Sequence, residues 1–408
     1  MAIIKPFRSL RPAPEKAKSV SCVPYDVPYE SEARDFIQKN PLSFLNVTRS
    51  EAEFAEGEKP GFPAILKRAK DNLHKFIDNG ILRVENVPCL YVYRLAAGSH
   101  HQTGIVACAS LDEYEHGLIK KHEKTRPDKV EDRTSHMLAL RAQTGLIFLT
   151  FRGTDRIHEL IGQSTLNEPL YDFFCDNNVR QTVWRIEQTD DLVNAFAEVP
   201  ALYIADGHHR AESALLARNT LQEANAEHTG NEDYNFVVAG IFPAEDLSIL
   251  AYNRVVKDLN GMSEEEFLAR LSENFTIAET NVKEPRARGN FSMYIGSKWY
   301  ALAFTRNFTQ DTDPKERLDV SILQRYILEP VLGIDDPRTD TRIGFIGGAR
   351  GVNELEKLVS GGEMKIAFSL FPTTMEDLFA VSDAGEIMPP KSTWFEPKLK
   401  DGLFVHLI

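Results

Sequence analysis

The stretch that most constrains the fold is "YIADGHHRAESALLAR", residues 203–218, in which a short apolar run ends abruptly in Asp-Gly-His-His-Arg. Residues 202–205 are apolar, as in a buried strand, whereas Ala211, Ala214 and Leu215 recur at the spacing of one helix face. The five residues 206–210 are therefore predicted to form a turn that leads from a strand directly into a helix.

A turn of this kind predicts an anion site. The unpaired N–H groups of the first helical turn and the positive end of the helix dipole point at one place, where a phosphate is the natural ligand. Gly207 allows the backbone to approach that ligand, and Arg210 can pair with two phosphate oxygens. His208 and His209 can donate hydrogen bonds to developing negative charge. Asp206 would repel a phosphate unless it holds a metal ion, a ribose hydroxyl or a histidine.

Two other interpretations of the same residues stay open. Asp206 can be a simple N-cap, with the histidines solvated or one of them buried in the core. A metal site built from His208, His209 and Glu212 is the third interpretation. Its geometry is poor, because adjacent histidines diverge on a helix and the spacing is not that of a His-Glu-x-x-His site.

The composition indicates a soluble globular protein. The net charge of −13 argues against nucleic-acid binding, which needs a basic surface. No apolar run reaches the roughly 18 residues of a membrane span, and residues 1–18 lack the apolar core of a signal peptide. The four cysteines are far apart, as expected of reduced thiols. We therefore expect a cytoplasmic protein with neither nucleic-acid nor membrane partners.

Strand and helix patterns alternate without an internal repeat, so the predicted fold class is α/β (mixed α+β). Residues 90–97 and 101–111 form a predicted hairpin, and "SEEEFLARLSENF" (263–275) a predicted helix with a Ser263–Glu266 capping box. We predict three regions: an N-terminal segment packing on the core (1–80), a phosphate-binding core (81–257) and a C-terminal α+β domain (258–408).

Six motifs carry a resemblance to a known family: "PFR" (6–8), "PYDV" (24–27), "HEKT" (122–125), "ADGHHR" (205–210), "LDVS" (318–321) and "MPPKSTWFEPKL" (388–399). Through them the chain resembles, nearly end to end, the domain of unknown function 1015 family. The "ADGHHR" turn resembles the phosphate-binding motif of the ParB/sulfiredoxin-like superfamily, which implies that fold for the core. His208 stands where sulfiredoxin has its cysteine, so sulfinic acid reduction is not expected.

The superfamily member of known activity that the chain looks most like is the free serine kinase. The resemblance implies a nucleotide-dependent phosphotransferase that uses ADP or ATP to phosphorylate free L-serine or a similar hydroxy amino acid. It also implies that Glu123 in "HEKT" is the general base, although a solvated charged loop would have the same composition. Mg²⁺ is expected on charge grounds, with Asp206 as a candidate ligand.

Outlying residues are weaker candidates for substrate contacts, and each is equally compatible with simple packing. They are Arg8, Tyr25 and Asp26 in the proline-rich N-terminal segment, Thr125, and Lys391, Ser392 and Thr393 after Pro389-Pro390. Two other functions use the same turn: a nucleotide-binding regulatory switch without turnover, and a phosphatase acting on phosphoserine.

Overall fold

The protein, described by a computed structural model for residues 2–175, 177–309 and 312–408, divides into two units. The first unit comprises residues up to 121, residues 125–247 and residues 397–408. The second comprises residues 122–124 and the chain between 248 and 396. Both contain helices and strands, which confirms the predicted mixed α/β class. The ParB/sulfiredoxin-like assignment stays a prediction.

The strands of both units are, in chain order, β1 (Ile4–Lys5), β2 (Leu10–Pro12), β3 (Leu82–Val84), β4 (Leu90–Ala97), β5 (His100–Ser110), β6 (Ile119–Lys120), β7 (Ala142–Gln143), β8 (Ile147–Phe151), β9 (Tyr171–Phe174), β10 (Arg180–Ile186), β11 (Leu202–Asp206), β12 (Phe236–Pro243), β13 (Ile249–Leu250), β14 (Tyr252–Val256), β15 (Phe275–Thr280), β16 (Asn290–Ile295), β17 (Lys298–Phe304), β18 (Ile343–Gly347), β19 (Ile366–Leu370), β20 (Trp394–Phe395) and β21 (His406–Leu407).

The helices are α1 (Ala17–Val20), α2 (Glu30–Lys39), α3 (Leu45–Thr48), α4 (Phe62–Asp78), α5 (Leu111–Glu115), α6 (Pro127–Leu140), α7 (Asp155–Ser164), α8 (Asp190–Phe196), α9 (His208–Glu223), α10 (Glu264–Leu271), α11 (Asp319–Leu323), α12 (Val352–Ser360) and α13 (Met375–Asp383). Shorter helical turns are 3₁₀ at Pro14–Lys16, Ser50–Glu53, Asp233–Asn235, Ala244–Asp246 and Gly348–Arg350, and π-helical at Gln324–Leu328.

The first unit is built on a nine-stranded sheet in the order β6-β11-β8-β12-β5-β4-β10-β9, with β1 alongside β5. The pairs β6–β11 and β8–β12 are parallel and the other pairs are antiparallel. The predicted hairpin is present as β4 and β5, joined through Gly98 at a φ of +61°. Small alanines on one face of α9, Ala211, Ala214 and Ala217, are buried in the same core as Ile204 of β11, so the helix packs closely against the sheet.

Two distant parts of the sequence complete the first unit. In the N-terminal part, β1 pairs with β5 and β2 pairs with β3. At the other end, β21 pairs with β7, and Val405 bridges to Leu10. Residues 397–408 belong to the first unit, and their apolar residues Leu403, Phe404 and Val405 are fully buried.

The second unit is built on a six-stranded, wholly antiparallel sheet in the order β15-β17-β16-β19-β14-β18. Its helix α10 has the predicted capping box, in which Ser263 Oγ accepts from the Glu266 N–H and the Glu266 carboxylate accepts from the Ser263 N–H. Leu355 of α12 packs against Val255 and Ala367 of the sheet. None of the helices within the described residues is long and apolar enough to cross a lipid bilayer.

Candidate functional site

The predicted strand-to-helix turn is present in the first unit. Strand β11 ends at Asp206, helix α9 begins at His208, and Gly207 between them has a φ of +94°. This left-handed conformation favours glycine. A Cβ at this position would also lie 3.3 Å from Cα of Ile147 on the neighbouring strand β8. Gly207 is therefore required both by the turn and by the close approach of two backbones.

The N-terminus of α9 has the features expected of an anion site. No side chain caps the helix, and the first helical hydrogen bond runs from the Ala211 N–H to the Gly207 oxygen. The N–H groups at the start of a helix have no partner inside it. His208 is buried at this end, whereas His209 is partly exposed. Nε2 of His209 accepts from the Arg126 N–H at 3.0 Å, so a neutral ring carries its proton on Nδ1.

Asp206 is paired with a lysine that the sequence interpretation did not include. Its Oδ2 accepts from Lys398 Nζ at 2.6 Å, and its Oδ1 accepts from the Gly207 N–H at 2.9 Å. Burial raises the pKa of the Asp206 carboxyl, but the charges of Lys398, Arg210 and His208 outweigh burial and hold that pKa well below its ordinary value. Lys398 thereby places a positive charge beside the start of α9.

Arg210 is held by the protein itself. Its Nη1 donates to the Leu146 oxygen at 2.7 Å, and its two Nη atoms lie 3.3 and 3.4 Å from the Asp401 carboxylate. Both side chains of this pair are largely buried. Burial raises the pKa of Asp401 to about 6, although the Arg210 charge acts in the opposite direction. Gly145 makes room for the pair, because a Cβ there would lie 2.5 Å from Asp401 Oδ1 and 2.8 Å from Arg210 Nη1.

The N-terminal segment reaches the same place. The centroid of the Tyr25 ring lies 4.3 Å from Cζ of Arg133 and 5.1 Å from Cζ of Arg210, and the Tyr25 N–H donates to Asp401. Burial raises the pKa of Tyr25 to about 12. Asp26 is mostly exposed, and its Oδ1 lies 4.0 Å from Arg210 Nη2. The structure thus brings Tyr25 and Asp26 together with Arg210.

The "HEKT" segment is divided between the two units. His122, Glu123 and Lys124 belong to the second unit, and Thr125 belongs to the first. Thr125 is partly exposed and immediately precedes Arg126, which makes the hydrogen bond to His209. The role of Glu123 as general base stays a prediction.

The "PPKST" residues lie in the second unit with His122. Thr393 Oγ1 is 3.4 Å from His122 Nε2, and the Met388 N–H donates to the His122 oxygen. Ser392 is buried, and its hydroxyl donates to the Pro389 oxygen at 2.6 Å. Lys391 is exposed, with its Nζ 5.7 Å from the centroid of the Tyr252 ring. Two segments that the sequence singled out separately, "HEKT" and "PPKST", therefore meet through His122.

Arg8 is exposed in the first unit and is engaged elsewhere. Its Nε donates to the main-chain oxygen of Glu85 at 2.8 Å. This contact agrees with the packing role, which was one of the two roles that the sequence allowed for Arg8. The other role, a contact with substrate, stays a prediction.

The side chains around the turn fit Mg²⁺ poorly. Across the described ranges, no group of three or more His, Cys, Asp or Glu side chains is arranged to hold a metal ion. Both oxygens of Asp206 accept hydrogen bonds, one of them from an ammonium group that would repel a cation. Glu212, the third member of the alternative metal site, accepts from the Tyr114 hydroxyl at 2.6 Å. Lys398 supplies the positive charge that the metal was expected to provide.

Lys398 and Asp401 are the site residues that sequence reasoning missed. They lie 192 and 191 residues beyond Asp206 and Arg210, their respective partners. The signal was present in "EPKLKDGLFVHLI", where charged residues interrupt a segment that is otherwise apolar. Buried charges need partners of opposite sign, so this segment was a candidate to pair with the charged turn.

Comparisons with known proteins identify a family and a set of distant structures. The family described as "Protein of unknown function (DUF1015)" matches residues 4–321. The chain matches no curated protein. It is 15% identical to a free serine kinase mutant in complex with AMP, with 73% of this chain and 91% of that chain covered and a TM-score of 0.39.

Two further solved structures are equally distant. A free serine kinase mutant in complex with ADP is 16% identical, with 73% and 92% of the two chains covered and a TM-score of 0.37. SbnI with a C-terminal truncation, from Staphylococcus aureus, is 13% identical, with 74% and 87% covered and a TM-score of 0.39. A likeness of this degree does not extend to activity or substrates.

Proposed function

The chain belongs to the family described as "Protein of unknown function (DUF1015)", and from its strand-to-helix turn we propose that it is a nucleotide-dependent small-molecule phosphotransferase. Its substrate is free L-serine or a similar hydroxy amino acid, and its donor is ADP or ATP. The observation that carries this proposal is the uncapped N-terminus of α9, which begins at a glycine of positive φ and has Lys398 beside it. Main-chain N–H groups, a helix dipole and a fixed cation favour a phosphate at one place.

Phosphoryl transfer requires positioned phosphates, neutralised charge and a base. The N–H groups of α9 hold the terminal phosphate of the nucleotide, and Lys398 exchanges its contact with Asp206 for a phosphate oxygen. His208 and His209 donate to the oxygens whose charge rises as the bond to the leaving nucleotide breaks. Arg210, whose charge is offset by Asp401, holds the start of α9 against the main chain at Leu146.

The second half of the reaction concerns the hydroxyl group. Glu123 accepts the proton of the substrate hydroxyl as its oxygen forms the new bond to phosphorus. The bridging P–O bond breaks at the same time, and the leaving nucleotide keeps that oxygen and its negative charge. The products are an O-phospho amino acid and a nucleotide with one phosphate fewer. The resemblance of "HEKT" to the segment that bears the catalytic glutamate of free serine kinases supports this role.

A phosphorus NMR assay tests the proposal directly. The full chain is incubated with ADP, ATP or CTP and with L-serine, and L-alanine serves as a control acceptor without a hydroxyl. We expect a new phosphomonoester signal with L-serine only. Phosphate release from O-phosphoserine without nucleotide would identify a phosphatase instead. Nucleotide binding in a thermal shift assay, with no phosphorylation of any hydroxy amino acid, would identify a regulatory switch.

A further inference from the structure

Arg254 is a buried cation in the second unit. It lies in the middle of β14, which pairs with β18 on one side and β19 on the other. The residue is only 3% exposed to solvent. Its Nη1 donates to the Tyr252 oxygen at 2.5 Å and its Nη2 to the Pro390 oxygen at 3.0 Å. The guanidinium also lies 4.8 Å from the centroid of the Phe345 ring. Main-chain oxygens and an aromatic face therefore hold the group in place.

The described part of the chain offers Arg254 no carboxylate partner, and its contacts there are carbonyl oxygens and rings. Burial lowers the pKa of Arg254 to about 9, with Tyr252 acting slightly in the opposite direction, so the group is still charged at neutral pH. A buried charge without a counter-ion is unfavourable. The chain has 60 acidic residues and a net charge of −13. The other buried arginine of the described residues, Arg218, is paired with Asp112 and Glu115. Among the same residues Arg254 lacks such a partner, so a counter-ion from outside the chain would stabilise its charge.

The surroundings of Arg254 are those of a small polar site. Lys391 Nζ lies 5.7 Å and the Arg254 guanidinium 5.9 Å from the centroid of the same Tyr252 ring, so two cations meet at one aromatic side chain. Pro390, whose oxygen holds Arg254, directly precedes Lys391, and Lys391 has a φ of +57°. A left-handed lysine is uncommon, and backbone strain of this kind concentrates at functional sites. Thr393 adds a hydroxyl group beside His122.

We propose that the second unit contains a binding site for a small monocarboxylate, in which Arg254 pairs with the carboxylate and Lys391 supplies a second positive charge. A guanidinium has five N–H donors, and two of the donors of Arg254 are used by main-chain oxygens. The remaining donors are sufficient for a bidentate pair with one carboxylate. Identifying this carboxylate as the α-carboxylate of the hydroxy amino acid rests on the proposed function.

The test compares L-serine with L-serinamide, which lacks the negative charge. Affinities of the full chain for both compounds, and for inorganic phosphate, are measured by calorimetry for the parent, R254M and R338M. Arg338 is an exposed arginine of the same unit that pairs with Asp336, so R338M is the matched control. We expect R254M to bind L-serine about 10–100-fold more weakly than the parent, the loss of a charge-assisted pair. Its affinity for L-serinamide should change less than about 2-fold, and R338M should behave as the parent.

A second variant covers the case in which R254M does not fold. R254K keeps the positive charge against the aromatic rings but loses the planar fork, so its preference for L-serine over L-serinamide should fall without disappearing. Equal preference in the parent and in the folded Arg254 variants, or a loss of phosphate affinity in R254M that exceeds its loss of L-serine affinity, overturns the inference. If the parent binds L-serine and L-alanine alike through Arg254 but phosphorylates neither, the site stands and the proposed function fails.

Discussion

The ammonium group of Lys398 lies 2.6 Å from Oδ2 of Asp206, at the end of the strand that leads into α9. An acid at the mouth of a phosphate site would oppose phosphate binding if it stood alone. The pair makes this corner of the turn nearly neutral, and the lysine can move its charge to an incoming phosphate. In the proposed phosphotransferase, Asp206 holds Lys398 in position until the nucleotide arrives.

Replacing Lys398 tests this exchange. We expect K398M to weaken nucleotide binding by about 1.5–3 kcal/mol, the range of a charge-assisted hydrogen bond, and K398R to retain most of the affinity. Calorimetry with ADP is the measurement, and K129M, at an exposed lysine of α6, is the control. Because Lys398 takes the place of the metal in the proposed reaction, we also expect added Mg²⁺ to leave the activity of D206N unrestored. Restoration by Mg²⁺ would return Asp206 to the role of a metal ligand.

Arg210 and Asp401 form an ion pair, and we expect its loss to lower the stability of the protein in the first place. Removing Arg210 alone leaves the Asp401 carboxylate buried without its partner, so R210M should cost about 3–5 kcal/mol in the free energy of unfolding. The double variant R210M/D401N removes both charges of this pair and should recover at least about 1 kcal/mol of that loss. Urea unfolding measures both. A double variant less stable than R210M would contradict this account.

Gly145 provides a steric test of the same pair. A methyl group there meets Asp401 Oδ1 at 2.5 Å and Arg210 Nη1 at 2.8 Å, so G145A should destabilise the protein by about 1–3 kcal/mol. The control is G162A in helix α7, where a Cβ meets no atom within 4 Å. It should stabilise the protein by about 0.5–1 kcal/mol, because alanine is the better helix former. Thermal unfolding of the two variants should therefore shift in opposite directions.

The buried carboxyl of Asp319, in the second unit, predicts that the stability of the protein depends on pH. Burial raises the pKa of its carboxyl to about 7, and the Gly289 N–H and Arg288 act in the opposite direction. Between about pH 4 and pH 7 the folded state therefore binds one more proton than the unfolded state, and stability falls as the pH rises. D319N removes that proton linkage. It should be more stable than the parent by roughly 2–4 kcal/mol at pH 8 and show no such gain at pH 4.

The measurement is chemical unfolding of D319N and the parent at both pH values. D335N is the control, because Asp335 is exposed in the same unit and its substitution should not change the pH profile. A gain for D319N that is equal at pH 4 and pH 8 would mean that the amide improves packing rather than removing a buried charge.

Glu123 is tested by an isosteric change. E123Q keeps the size of the side chain but cannot accept the hydroxyl proton, so turnover should fall by roughly 10²–10⁴-fold while nucleotide affinity hardly changes. E131Q, at an exposed glutamate of α6, should retain the activity of the parent. If E123Q phosphorylates L-serine at nearly the parent rate, the base lies elsewhere, and Asp26 is the next residue to test.

Local patterns in the sequence predicted local structure well. The hairpin β4–β5, the capped helix α10 and the turn at residues 206–210 each follow from residues that are neighbours along the chain. What the sequence did not predict is the set of partners that Asp206 and Arg210 find about 190 residues away. Periodicity and capping describe contacts over a few residues, whereas the pairing of buried charges depends on the tertiary fold.

Because residues 397–408 belong to the first unit, that unit can be completed only after residues 248–396 of the second unit have been synthesised. The turn at residues 206–210 leaves the ribosome long before Lys398 and Asp401 are made, and residues 248–396 of the second unit are translated in between. During that interval the Arg210 guanidinium has no Asp401 to pair with, and β7 has no β21. Contacts of such long sequence separation form late and slow the folding of a domain. The nascent first unit therefore lacks the Arg210–Asp401 pair and the β7–β21 pair until residues 397–408 have been synthesised.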